Sequence, residues 1–226
     1  MPYELLICDF DGTLANTRHA VLMCMQETLR ELLGAEGEIE APDIERVVAT
    51  GATLPKTFDA LFSMLGASSP ERIDTAIQDY RARYAQDSSR WTTLYPGVRG
   101  CLDFAQANGM CVAVVSNKGE SALQAALGSL DIVQYFDLVL GEQADLPPKP
   151  APDVFDRRIR AGFSTIDTKA MLFVGDTPAD LEFAKNAGID SCWAVYGHGT
   201  RAACQAFQPR FEINNFHELQ VLLEQA

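Results

Sequence analysis

Apolar residues along this chain fall into two patterns. Short unbroken runs recur at ELLIC (4–8), MCVAVVS (110–116), DLVLG (137–141), AMLFVGD (170–176) and SCWAVYG (191–197). Runs that are continuous rather than alternating suit strands buried on both faces of a parallel sheet. Between them, apolar positions recur at helical spacing. GVRGCLDFAQANG (97–109) places Val98, Cys101, Leu102 and Ala105 on one face and stops at Asn108-Gly109, a C-terminal helix signal. Segments 119–130 and 152–162 behave alike, and PADLEFAKNAG (178–188) opens with Pro and closes with Gly, as helices prefer. Strand–helix alternation from residue 97 onward predicts an α/β fold, an open parallel Rossmann-like sheet with right-handed crossovers.

Residues 17–88 break that rhythm. They hold no convincing strand but four helical patterns, at 18–34, 41–51, 54–66 and 69–86, with Ser69-Pro70 as a capped start. The stripe Leu22, Met25, Leu29, Leu32, Leu33 reads as the inner face of such a bundle. The expected organisation is a catalytic core of residues 1–16 plus 89–226 with an inserted α-helical cap domain, 17–88. The chain is expected to re-enter the core within DSSRWTTLYPG (87–97).

Composition narrows the function classes. The 226 residues are 47% hydrophobic, enough for a sizeable core, and carry a net charge of −13, which disfavours nucleic acid as a partner. No apolar run approaches the roughly 18 residues of a membrane span, and MPYELLICDF carries an acid where a signal peptide needs basic residues. Six scattered cysteines without a C-x-x-C pair read as reduced thiols of a cytoplasmic protein, not zinc ligands. The expected assembly is a monomer or homodimer.

Chemistry gathers at strand ends. In LLICDFDGT, Asp9 and Asp11 are two residues apart and face one side of an extended chain. Such close carboxylates need a proton or a cation between them, although Asp11-Gly12 also suits a plain turn. Ser116-Asn117-Lys118 follows the second apolar run and equally suits a helix cap. Lys149 sits between prolines in PPKPAPDVF, just before a helix. Asp176 ends the fourth run and Asp180 follows one helical turn later; Asp176 could be N-cap, ligand or both. All four clusters fall at carboxyl ends of parallel strands, where open α/β sheets bind ligands. Oxygen donors Asp9, Asp11 and Asp176 suit Mg²⁺, while Thr13, Ser116, Lys149 and helix-start N–H groups suit phosphate oxygens.

DFDGT, SNK, K-P and GDTPAD, in this order across residues 9–180, resemble the haloacid dehalogenase-like hydrolase superfamily, in particular its phosphoglycolate phosphatase-like members. The resemblance implies a phosphatase of a small phosphorylated metabolite such as 2-phosphoglycolate, acting on a phosphate monoester. Asp9 would be the nucleophile and Asp11 the proton carrier. Asp9, the Asp11 carbonyl and Asp176 would hold Mg²⁺. Thr13, Ser116, Asn117 and Lys149 would hold the phosphoryl group, and Asp180 would fix Lys149 or the metal shell. A carboxylate at position 11 argues against the dehalogenases and the phosphonoacetaldehyde hydrolases of the family. β-Phosphoglucomutase-like enzymes keep both aspartates and are the alternative, but the loop TGATLPKTF (50–58) lacks their Ser-Arg pair, and Asn16-Thr17 departs from the usual Asp-Ser.

In such enzymes the cap selects the substrate. Lys56 is the candidate cation for the substrate's far end, or else an exposed helix lysine; Arg18 and His19 at the hinge are weaker candidates. His198 and His217 are given no role.

Overall fold

The computed structural model describes residues 3–225. Its centre is β1 (Leu5–Cys8), flanked in a six-stranded sheet by β4 (Cys111–Gly119) and β6 (Met171–Gly175). Beyond β4 lies β5 (Leu138–Glu142); beyond β6 lie β7 (Asp190–Ala194) and β8 (Phe211–Ile213), all parallel. The apolar run of β1 divides by side-chain alternation. Leu6 and Cys8 join the core on one face, Leu5 and Ile7 the core on the other, and all four are buried. Burying such a side chain is worth about 1.5–3 kcal/mol, which explains why β1 carries no polar position. Helices α5 (Val98–Ala107) and α10 (Phe216–Gln225) cover the first face; α8 (Pro178–Ala187) and the π-helical turn Phe155–Ile159 cover the second.

Register decides where the motif residues meet. Cys8 pairs with both Val114 and Val174, which sets the three central strands in step. Past that level, with strands about 4.8 Å apart, Asp9 follows by one residue and Ser116 and Asp176 by two, all at a single edge. The strand order reverses at β1, which makes this edge a topological switch point.

Helices α1 (Arg18–Leu33), α2 (Ala41–Val48), α3 (Leu54–Met64) and α4 (Pro70–Asp87) pack around a separate buried cluster that includes Met25, Leu29, Phe58, Phe62 and Tyr80. Of the expected stripe, Leu22, Leu32 and Leu33 are only partly buried against it. Ser69 caps α4 by accepting from the Arg72 N–H at 3.3 Å. The chain leaves the core through β2 (Ala15–Asn16) and returns through β3 (Thr93–Leu94), and the two form an antiparallel ribbon.

The sequence pattern missed the two-residue strands β2 and β3 and, further along the chain, β8, α10 and the short helix α9 (Arg201–Gln205). The run SCWAVYG stops being a strand at Ala194 rather than 197, because the Gly197 N–H turns back to the Ala194 carbonyl. No helix among the described residues is long and apolar enough to cross a membrane.

Candidate active site

At the sheet edge three aspartates converge. Asp9, Asp176 and Asp180 each offer a carboxylate oxygen within 4.8 Å of the others, and all three are buried. Lys149 is the counter-charge. Its Nζ donates to Asp9 Oδ1 at 2.6 Å, to Asp180 Oδ1 at 2.6 Å and to the Val115 carbonyl at 2.8 Å. One cation among three carboxylates leaves an excess of two negative charges. Burial raises Asp9 to about 7; Lys149 pulls it down, and Asp180 and Asp11 push it up. Burial, then Asp180 and Asp9, hold Asp176 well above the carboxylate range. Burial works against the Lys149 charge, but Asp180 and Asp9 outweigh it and keep the ammonium above the ordinary lysine range. An all-oxygen set with unmet negative charge fits a hard divalent cation such as Mg²⁺.

Local structure builds each position. Thr177 precedes α8, and Asp180 reaches back to it, accepting from the Thr177 N–H at 3.0 Å and its hydroxyl at 2.5 Å. Capping therefore falls to Thr177 and Asp180, and Asp176 is no N-cap. Asp176 instead accepts from Thr13 Oγ1 at 3.0 Å and from the His198 N–H at 2.6 Å. Gly12 makes this approach possible: its φ is +87°, and a Cβ there would lie 2.3 Å from Asp176 Oδ2.

The structure redistributes several of the expected roles. Thr13 is fully buried and directs its hydroxyl at Asp176, not into the cavity as a phosphate donor. Asn117 lines the cavity, and its side chain acts as a staple. Its amide donates to the Lys149 carbonyl (3.0 Å) and the Gly51 carbonyl (3.2 Å), and its Oδ1 accepts from the Lys149 N–H (2.9 Å). That fixes the backbone of Lys149 and ties it to the loop that carries Gly51. Ser116 lines the cavity, and its Oγ accepts from the Lys118 N–H at 3.2 Å. Asp180 touches Lys149 directly and also joins the carboxylate cluster. Lys56 is exposed and does not line the cavity. Leu54 and Thr57 of α3 do, and Lys56 lies on a different face of the helix. Arg18 bridges Glu45 and the Gly197 carbonyl, and His19 packs edge-on against Trp91.

Two residues given no role in the sequence reading belong to the site. Lys118 Nζ lies 3.1 and 3.3 Å from the two Asp11 oxygens and 3.9 Å from the centre of the Tyr84 ring, so it joins the core to α4 of the cap. His198 supplies the backbone donor to Asp176 and lines the cavity. Lys118 stood visible as the third residue of SNK. His198 carried no signal, because a backbone donor leaves no mark in residue type.

Comparison with known proteins agrees with this geometry. Residues 6–194, from β1 through β7, match the family described as haloacid dehalogenase-like hydrolase. The Dickeya dadantii protein named "Probable phosphatase IndB" is 29% identical over 95% of this chain and 91% of its own. Phosphoglycolate phosphatase of Aquifex aeolicus is 28% identical over 86% of each. Among solved structures, a haloacid dehalogenase-like hydrolase of Streptococcus pneumoniae superposes with TM-score 0.83 at 21% identity, covering 98% of this chain and 99% of that one. β-Phosphoglucomutase of Clostridium difficile gives 0.79 at 17%, over 99% and 96%. These structural likenesses show a shared fold. The family match takes in every strand end that builds the aspartate–lysine centre, and this chain belongs to the haloacid dehalogenase-like hydrolases.

Proposed function

We propose that this hydrolase is a Mg²⁺-dependent phosphatase of small-molecule phosphate monoesters, working through an aspartyl-phosphate on Asp9. The observation that carries the reading is the Asp9 carboxylate on the cavity wall, with one oxygen held by Lys149 at 2.6 Å. A nucleophilic carboxylate must be oriented and ionised, and the lysine orients it and opposes the burial that favours its protonated form.

An Asp9 oxygen attacks phosphorus as the ester P–O bond breaks, and the leaving alkoxide takes a proton from Asp11. Asp11, now a carboxylate held beside Lys118, accepts a proton from the water that attacks the aspartyl-phosphate. Inorganic phosphate leaves and both aspartates are restored. Lys149 and the Ser116 hydroxyl face the transferring group, while Asn117 keeps the lysine in register. Asp9, Asp176 and the Asp11 carbonyl would hold the metal, with Asp180 beside them. When bound, Mg²⁺ supplies the positive charge that offsets the buried carboxylates and the phosphoryl oxygens.

Several relatives are named for 2-phosphoglycolate, which makes that compound the reference substrate for this class. Six unpaired cysteines support a reducing, cytoplasmic setting. The test is phosphate release from a panel of phosphate monoesters, with and without Mg²⁺, for wild type and Asp9→Asn. Metal-dependent release that disappears in the variant supports the phosphatase. A lasting phospho-protein with little phosphate release would instead indicate a β-phosphoglucomutase-like transfer within a sugar phosphate.

A further inference from the structure

The catalytic aspartates open into a cavity of about 960 Å³ between cap and core. Such a volume lies at the upper end of the roughly 300–1,000 Å³ that holds drug-sized ligands, far beyond the needs of a two-carbon acid. Its charges are also informative. Three side-chain cations line it, and each already has an acid: Lys149 with Asp9 and Asp180, Lys118 with Asp11, Arg81 with Glu142 at 2.7 Å. Among the described residues the lining acids outnumber the lining cations, so a substrate carboxylate would meet repulsion and no free partner.

The walls offer something different. Val21, Met25 and Tyr80 present apolar surface from the cap. Tyr84 and Thr92, 4% and 8% exposed, also line the cavity, with their hydroxyls buried beside one another and the Lys118 ammonium. Tyr84 stands over Lys118, the residue that holds Asp11. This wall is therefore on the side where Asp11 meets the leaving group.

Resting on the phosphatase reading above, we propose that the preferred substrate is a phosphate monoester with a bulky, uncharged leaving group. That group lays an apolar face against Val21, Met25 and Tyr80. Small carboxylate-bearing esters such as 2-phosphoglycolate are the poorer substrates.

The experiment measures kcat/KM with Mg²⁺ for alkyl phosphates of comparable intrinsic lability: 2-phosphoglycolate, glycerol 3-phosphate, nucleoside 5′-monophosphates and hexose 6-phosphates. The expected result is that at least one bulky neutral ester exceeds 2-phosphoglycolate by about tenfold or more, equivalent to 1.4 kcal/mol. Val21→Ala should then reduce the preference for that ester over glycerol 3-phosphate by about three- to tenfold, through KM, as loss of one or two buried methyl contacts predicts. If 2-phosphoglycolate is the best substrate, this proposal is overturned and the phosphatase reading stands. If no ester releases phosphate, both fall.

Discussion

Replacing Asp9 by Asn should abolish turnover and yet stabilise the metal-free protein. Asp9 is 6% exposed and shares its site with Asp176 and Asp180. Its carboxyl titrates at about 7 in the folded chain, against about 3.9 in an unfolded one. A raised carboxyl pKa contributes stability that is fully present below about pH 4 and is lost as pH rises through about 7. By pH 8 that loss amounts to ~4 kcal/mol, at 1.36 kcal/mol for each pH unit between the two values. Asparagine keeps the shape and an acceptor for Lys149 but never ionises. Allowing for a weaker bond to the ammonium, Asp9→Asn should gain about 2–4 kcal/mol at pH 8 and nearly nothing at pH 4. For a chain of this length that is about 5–15 °C in Tm. The assay is thermal or urea denaturation in EDTA from pH 4 to 8, repeated with Mg²⁺, which should stabilise wild type more than the variant. A variant less stable than wild type at pH 8, or a gain independent of pH, would refute the reasoning.

The opposite substitution removes the cation. Lys149→Met should cost about 3–5 kcal/mol in EDTA at neutral pH, because it leaves Asp9 and Asp180 buried without their partner; denaturation should show part of that loss recovered by Mg²⁺. Gly12→Ala drives a Cβ to within 2.3 Å of Asp176 Oδ2 at φ +87°. It should cost about 1–3 kcal/mol, and a Tm titration should show that Mg²⁺ no longer stabilises the variant. Asn117→Ala removes three hydrogen bonds, one of them to the cap loop. It should lower stability by about 1–3 kcal/mol and kcat by about 10²-fold through a displaced lysine, both read on one preparation by denaturation and by phosphate release.

The catalytic core was legible because its chemistry is written in residue type. Charged residues that end apolar runs, as Asp9 and Asp176 do, have few structural reasons to be there, and Lys149 between prolines shares that anomaly. The C-terminal elements were not legible. Residues 211–213 form only a three-residue edge strand on β7, too short for alternation to announce it, and its stability comes from the neighbour it pairs with.

The sequence by itself determined which residues could do chemistry and on which end of the sheet they lie. Apolar periodicity sets the strands and helices, and in a parallel sheet all strand ends of one kind share an edge. What only the tertiary structure decided is the pairing. Thr13 serves Asp176, Asn117 serves the Lys149 backbone, Lys118 takes Asp11, and Lys56 stays in solvent. Those assignments join residues as much as 163 positions apart. They depend on register and on how the cap seats over the core. A hydroxyl or amide is equally able to bind phosphate, cap a helix or hold a carboxylate, and nothing but its neighbours in space selects among them.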